Sequence, residues 1–286
     1  MSVRPYFDIP LAGGRVLELG RRPLVMGILN ITPDSFGESR PLDPRRAVDA
    51  ALAIEAQGAD LLDIGGESTR PGAEPVDAET ELARIMPVIE GLQGRVRIPL
   101  SVDTYKAVVA DRALEAGVLM VNDISGLRYD PPLAEVVARR GAALVLMHTR
   151  GRSKNMYGEA GYGDVISEVT AELRESVDAA VQGGVPRTSI LIDPGVGFAK
   201  RAAHSYGVLA RLQEIAAALD RPMLVGPSRK SFLRAAAGGA DAPDRDWATA
   251  AAVTAAVLGG AHIVRVHAVA QMVHVVRAAE EIRLAR

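Results

Sequence analysis

The sequence predicts a (β/α)8 barrel of the TIM type, preceded by a β-hairpin, and three observations carry that expectation. First, eight short apolar runs rich in β-branched residues recur: Val25–Asn30, Asp60–Gly65, Pro99–Thr104, Met120–Ser125, Ala143–His148, Ile190–Gly195, Pro222–Pro227 and His262–His267. Each is nearly continuous in apolar character, as parallel strands buried on both faces require. Second, the segments between them carry helical spacing. Third, the 286 residues, 48% of them apolar, hold no linker, low-complexity tract or charge block. One domain over 1–286 is expected, with a hairpin at about 6–20 and a barrel over about 24–284.

The elements follow in order. PLAGGRVLEL within Tyr6–Gly20 reads as two strands turning at Gly13–Gly14, a hairpin that caps the N-terminal end of the barrel. Arg45–Gly58 puts Ala47, Val48, Ala51, Leu52 and Ile54 on one side of a helix that closes on Gly58. The same ending recurs at Gly117, Gly141, Gly183/Gly184 and Gly259/Gly260, each just before the next apolar run. The competing architecture, an open doubly wound sheet, usually has fewer strands. Two connections after strands, Thr32–Pro44 and Glu67–Pro75, are rich in Gly, Pro, Ser and Thr. On a barrel they face the rim of the site, so they are expected to be lids.

Composition narrows the function classes. A net charge of −2 gives no electrostatic reason to bind nucleic acid or acidic membranes. The absence of cysteine excludes disulfides and thiolate metal sites, and suits a reducing cytoplasm, where the chain is expected to work. MSVRPYFDIPLAGG has no apolar signal core, and no run is long and apolar enough to span a membrane.

Chemistry on such a barrel sits at the C-terminal strand ends. Those ends carry Asn30, Asp63, Asp103, Asn122 with Asp123, His148, Asp193, Ser228-Arg229-Lys230, and Arg265 with His267. Any one could merely cap a helix or bond a loop amide. Eight convergent positions call for more, because buried charges must face each other or a ligand. Asp63, Asp103 and Asp193 supply acceptors. Asn122 both donates and accepts. Lys230, Arg265 and His267 supply donors and positive charge. A heterocycle with amide-like edges would satisfy Asp, Asn and Lys. A diphosphate would satisfy Arg, His and loop amides, with Asn30 as an oxygen ligand for Mg2+.

Other motifs fail. GPSRKS is not a P-loop, GVGFAK lacks the third glycine of a dinucleotide fingerprint, and no HExxH or His/Cys cluster indicates zinc. A Schiff-base role for Lys230 is disfavoured, because Arg229 beside it points to anion and ring contacts. His204, His262 and His274 read as structural, and Trp247 as a packed side chain.

The blocks MGILNITPDSF (Met26–Phe36), DIGGESTRPGA (Asp63–Ala73), SVDT (Ser101–Thr104), VNDISG (Val121–Gly126), LMH (Leu146–His148), DPGVGFAK (Asp193–Lys200), VGPSRKSFL (Val225–Leu233) and RVH (Arg265–His267) occur in this order. In that order they resemble the dihydropteroate synthase family over most of the chain. The resemblance implies an alkyl/aryl transferase of folate synthesis, a target of sulfonamides. Such an enzyme joins 4-aminobenzoate to (7,8-dihydropterin-6-yl)methyl diphosphate, releasing pyrophosphate through an ionising C–O bond. It implies that Asp103, Asn122, Asp193 and Lys230 hold the pterin edge, with Asp63 a further pocket position. Arg265 would stack on the ring and, with His267 and Asn30, contact the diphosphate, Asn30 also being the Mg2+ ligand. Thr69, Arg70 and Pro71 would sit on the second lid, Asp34 and Phe36 on the first. Phe198, Lys230 and Ser231 match the aminobenzoate pocket. The catalytic set is then Asp103, Lys230, Arg265 and His267. The family further implies a homodimer through barrel helices, for which Ala248–Leu258 and Val269–Ile282 offer a surface.

Two departures stand out. Ala268-Val269 follows RVH where many relatives have an aspartate, and the first lid reads SFGESRPLD in place of SFSDGG. The loop 149–163 is long and glycine-dotted, and is expected at the rim. The alternatives are a pterin-binding methyltransferase barrel, which would lack both lid signatures, and a catalytically silent paralogue.

Overall fold

The computed structural model describes residues 4–32, 43–70, 72–152, 154–158, 160–239, 241 and 245–285. Two antiparallel strands, β1 (Phe7–Leu11) and β2 (Arg15–Leu19), open the chain. They turn through Gly13 and Gly14, at φ 70° and 73°, a region that glycine enters without a Cβ penalty. Alternation sends Ile9, Leu11, Leu17 and Leu19 to one face. That face packs on Leu24, Met26, Leu61, Met120, Leu224 and Ile263, near the starts of the barrel strands, so the hairpin closes the N-terminal mouth as expected.

Eight parallel strands follow: β3 (Leu24–Asn30), β4 (Leu61–Gly65), β5 (Leu100–Asp103), β6 (Met120–Asp123), β7 (Ala143–Met147), β8 (Ile190–Asp193), β9 (Leu224–Val225) and β10 (Ile263–Val266). Their order around the sheet is β8-β7-β6-β5-β4-β3-β10-β9. A parallel bridge from Ile192 to Met223 joins the two ends and closes the barrel. β9 is two residues long where the sequence predicts Pro222–Pro227. Each flanking proline lacks the N–H that would extend the ladder.

The helices ring the sheet: α1 (Pro44–Ala56), α2 (Ala78–Leu92), α3 (Ala107–Glu115), α4 (Leu133–Arg140), α5 (Val165–Gln182), α6 (Ala202–Ala210), α7 (Leu212–Leu219), α8 (Asp246–Leu258) and α9 (Val269–Leu284). Side-chain caps start several, as where Asp43 accepts from the Arg45 N–H and Asp77 from the Thr80 N–H. At the paired glycines the second member, Gly184 or Gly260, takes the left-handed conformation. His262 is structural as expected: its Nδ1 accepts from the Met223 N–H and its Nε2 lies 3.1 Å from the Pro5 carbonyl. Trp247 corrects the sequence reading. It is not packed but 89% exposed, above an apolar groove of about 670 Å3 lined by Tyr206, Leu209, Leu233, Ala251 and Ala255.

Candidate active site

The barrel register aligns the polar strand ends. Asn30 pairs with Gly65, Gly65 with Asp103, and Asp103 with Asn122, so one layer crosses four adjacent strands. Gly65 keeps that layer open: a Cβ there would lie 3.4 Å from Asp103 Cβ and 3.6 Å from Asn30 Oδ1. Arg265 reaches in from β10. Its Nε donates to Asp63 Oδ2 and its Nη2 to Asp103 Oδ2, both at 2.6 Å. Asn122 Nδ2 donates to the same Asp63 oxygen at 2.9 Å. Asp63 Oδ1 is buried without a partner. Burial pushes the Asp103 carboxyl up to about 7, against the pull of Arg265.

The opposite wall comes from β8 and the segments after β8 and β9. Asp193 Oδ1 accepts from the Gly195 N–H at 2.7 Å. Lys230 Nζ donates to the Val196 carbonyl at 2.7 Å and stands 4.3 Å above the Phe198 ring. Gly197 permits this approach, since a Cβ would fall 2.8 Å from Lys230 Cδ. Burial lowers Lys230 to about 8 while Asp193 pulls it upward, and burial raises Asp193. Phe198 packs beside Tyr105, Ile124 and Met147.

At the rim, Ser228 Oγ lies 2.9 Å from His267 Nδ1 and accepts the His267 backbone N–H. Burial first, then Arg265, Arg229 and Arg70, push the His267 imidazole down to about 3. In the ligand-free site the burial of His267 beside these arginines favours the neutral imidazole, where the sequence suggests a source of positive charge. Thr69 is half-buried, and Arg70 and Ser231 are exposed. Asp34, Phe36 and Pro71 lie outside the described residues. Among the described residues, no cluster of three or more His, Asp or Glu side chains could hold a metal.

Some strand-end residues have other duties. Asp123 is a loop cap, accepting from the Ser125 and Leu127 N–H groups. Arg229 is committed to Asp246 through two 2.7 Å bonds, which corrects its expected anion and ring contacts. His148 faces Lys200 and Glu172. The sequence reading assigned nothing to Lys200, although a lysine between Phe198 and an apolar helix is a visible oddity. It also missed Tyr157, on the loop 149–163, whose hydroxyl lies 2.6 Å from Ser231 Oγ. Glu67, at the start of the loop expected to be the second lid, bonds to Tyr105 and Lys106.

A closed parallel barrel whose strand ends enclose three carboxylates, an amide, an arginine and a lysine beside an aromatic ring defines a class: an enzyme site for a planar heterocycle carrying an anionic arm. Residues 26–267 match the family described as pterin binding enzyme. The chain belongs to that family. A dihydropteroate synthase of Synechocystis sp. is 43% identical over 277 residues, covering 96% of each chain. One from Mycobacterium leprae is 47% identical, covering 85% of this chain and 87% of the relative. The solved Xanthomonas albilineans dihydropteroate synthase with 4-aminobenzoic acid superposes with a TM-score of 0.89 at 40% identity, covering 96% of this chain and 98% of that one.

Proposed function

We propose that this chain is a dihydropteroate synthase acting as one pterin-binding domain over residues 1–286. It condenses (7,8-dihydropterin-6-yl)methyl diphosphate with 4-aminobenzoate. The observation that carries this reading is Arg265 held between Asp63 and Asp103, facing the Asp193–Lys230–Phe198 wall. A pterin edge offers amino and ring N–H donors to Asp103 and Asp193, and acceptors to Asn122 and Lys230. Two carboxylates fix the Arg265 guanidinium in one orientation, so its face is ready for the ring. The C–O bond of the methylene breaks with its electron pair leaving on the diphosphate. The arylamine nitrogen then forms the C–N bond and gives its proton to solvent or pyrophosphate. Asp103 offsets positive charge spread into the ring, and Arg265 with Arg70 meets the departing anion. Thr69 and Arg70 exclude water from the cation, a part that the family resemblance also gives to Pro71, Asp34 and Phe36, which lie outside the described residues. Phe198, Lys230 and Ser231 receive the aminobenzoate.

Asn30 fits a Mg2+ held mainly by substrate. Its side chain has no partner among the described residues, and Gly65 leaves the space beside its Oδ1 open. One neutral oxygen suits an ion that otherwise keeps water and diphosphate ligands. When bound, the ion supplies charge neutralisation on the diphosphate.

No helix among the described residues is long and apolar enough to cross a membrane; the cytoplasmic location in this reading rests on the cysteine-free composition, which suits a reducing compartment. It pairs with a second copy through the groove under Trp247, a rimmed apolar patch of the kind that marks protein interfaces. Pyrophosphate release that requires both substrates tests the activity. Release with the pterin diphosphate alone, or none with both, overturns it.

A further inference from the structure

Lys200 is 1% exposed, and the chemistry above does not use it. Its Nζ lies 2.7 Å from His148 Nδ1, 3.1 Å from the Gly195 carbonyl oxygen and 3.2 Å from the Phe198 carbonyl oxygen. His148 is 2% exposed, with Nε2 3.2 Å from Glu172 Oε2. Burial opposes ionisation of Glu172, but hydrogen bonds from His148 and Arg150 hold it well below the usual carboxylate range. An ionised carboxylate only accepts, so the imidazole proton sits on Nε2 and Nδ1 is a lone pair. Lys200 therefore faces three acceptors, one for each N–H of its ammonium, and these partners together with Asp193 oppose the burial that pushes the group well below the usual lysine range.

The segment it grips runs through the left-handed region. Gly195, Gly197 and Ala199 all have positive φ, at 65°, 80° and 45°. A Cβ on Gly195 would overlap the His148 carbonyl oxygen. Glycine enters that region without a Cβ penalty, so Ala199 is the residue held away from its ordinary wells, a conformation that persists only where its surroundings over-determine it. The same segment supplies the Gly195 N–H to Asp193, the Val196 carbonyl to Lys230 and the ring of Phe198.

We propose that Lys200 is a positioning residue for the arylamine: it clamps the Gly195–Phe198 carbonyls against His148 so that Phe198 and Lys230 meet the second substrate in one arrangement. This rests on the dihydropteroate synthase reading. The pterin edge depends less on the clamp: Asp193 and Lys230 touch the clamped segment, but Asp193 is anchored on β8, and Asp103, Asn122 and Arg265 hang on β5, β6 and β10.

The test uses the full chain and its variants Lys200→Met, His148→Asn and His148→Ala. Pyrophosphate release by the unmodified chain with both substrates is the control for the reading itself, and its failure says nothing against Lys200. Methionine fills the space without a buried charge, a change that often leaves stability intact. Lys200→Met is expected to raise KM for 4-aminobenzoate about tenfold, with KM for the pterin diphosphate moving less than about twofold and kcat less than about threefold. Equal rises in both KM values, or none, overturn the proposal. His148→Asn keeps an acceptor near the place of the imidazole Nδ1 while losing the Glu172 bond. It is therefore expected within about twofold of the unmodified KM, and His148→Ala is expected to copy Lys200→Met. This pair leaves Lys200 in place and decides the matter even if Lys200→Met does not fold. Indistinguishable KM values in the two His148 variants overturn it.

Discussion

Asp63→Asn is the most informative single change. Asp63 is fully buried, and its Oδ2 receives both Arg265 Nε at 2.6 Å and Asn122 Nδ2 at 2.9 Å, while Oδ1 has no partner. Asparagine can turn its oxygen to those two donors and its NH2 to the unpartnered side. What is lost is the charge on one of the two carboxylates holding Arg265. A charge-assisted hydrogen bond is roughly twice as strong as a neutral one, so the cost is ~1–2 kcal/mol. Asp63→Ala orphans both donors and leaves Arg265 half-paired, at ~3–5 kcal/mol. Urea denaturation of the two variants measures these values. The second effect is electrostatic. Asp103 is pushed up to about 7 by burial, opposed by Arg265 and reinforced by the neighbouring Asp63 charge. A carboxyl so raised becomes protonated as pH falls through that value, and the site then loses an acceptor for the pterin. Removing the Asp63 charge must lower the Asp103 midpoint, so pterin affinity, followed by calorimetry, persists to lower pH in Asp63→Asn. A midpoint that stays or rises, or an Asp63→Asn cost equal to that of Asp63→Ala, refutes the pairing.

Lys230, lowered to about 8 by burial, loses its proton as pH rises through that value, so pterin affinity of the unmodified chain declines above it. Lys230→Met removes that alkaline limb and cuts turnover ~100-fold in steady-state assays. Gly195→Ala drives a Cβ into the His148 carbonyl oxygen at φ 65°, and is expected to lose more than ~3 kcal/mol in chemical denaturation. For the proposed self-association, Trp247→Asp should leave a monomer by light scattering where the unmodified chain is a dimer, with far-UV circular dichroism unchanged, since the indole is 89% exposed; an unmodified chain that is already monomeric refutes it.

The strands were legible because they are buried on both faces, which leaves a continuous apolar signature ending in a polar residue. Which polar residue faces the pocket was harder to read. Asn122 and Asp123 are consecutive, so alternation sends them to opposite sides: Asn122 meets Asp63, and Asp123 turns to its own loop. His267 looked cationic because nothing in its sequence neighbourhood records burial beside three arginines. Lys200 was opaque for a related reason, as its partner His148 is 52 residues away and follows a different strand. Trp247 misled because α8 is alanine-rich on every side, and a helix without contrast between its faces does not reveal which one is covered.

Charge balance at the strand ends also constrains how the diphosphate is met. Asp63, Asp103 and Asp193 face Arg265 and Lys230, and burial favours the uncharged forms of Asp103, Asp193, Lys230 and the more remote Lys200, so the ligand-free pocket carries little excess charge. On the proposed reading, an arriving diphosphate finds its counter-charge at the rim, from the exposed Arg70 and from a Mg2+ that Asn30 would help to hold. His267 is the remaining candidate, and its energetics argue against it. Burial and the neighbouring arginines hold it at about 3. Protonating it at pH 7 means closing a gap of about four units, ~5 kcal/mol, more than a rim-level contact with a hydrated anion returns. His267 should therefore meet the diphosphate as a neutral N–H donor, with Ser228 engaging its Nδ1. Calorimetry of pyrophosphate binding at pH 7, in two buffers of different ionisation enthalpy, should show uptake of well under one proton at this residue. Uptake of a full proton that disappears in His267→Gln would show that the imidazole is charged in the complex, and that burial does not decide its state.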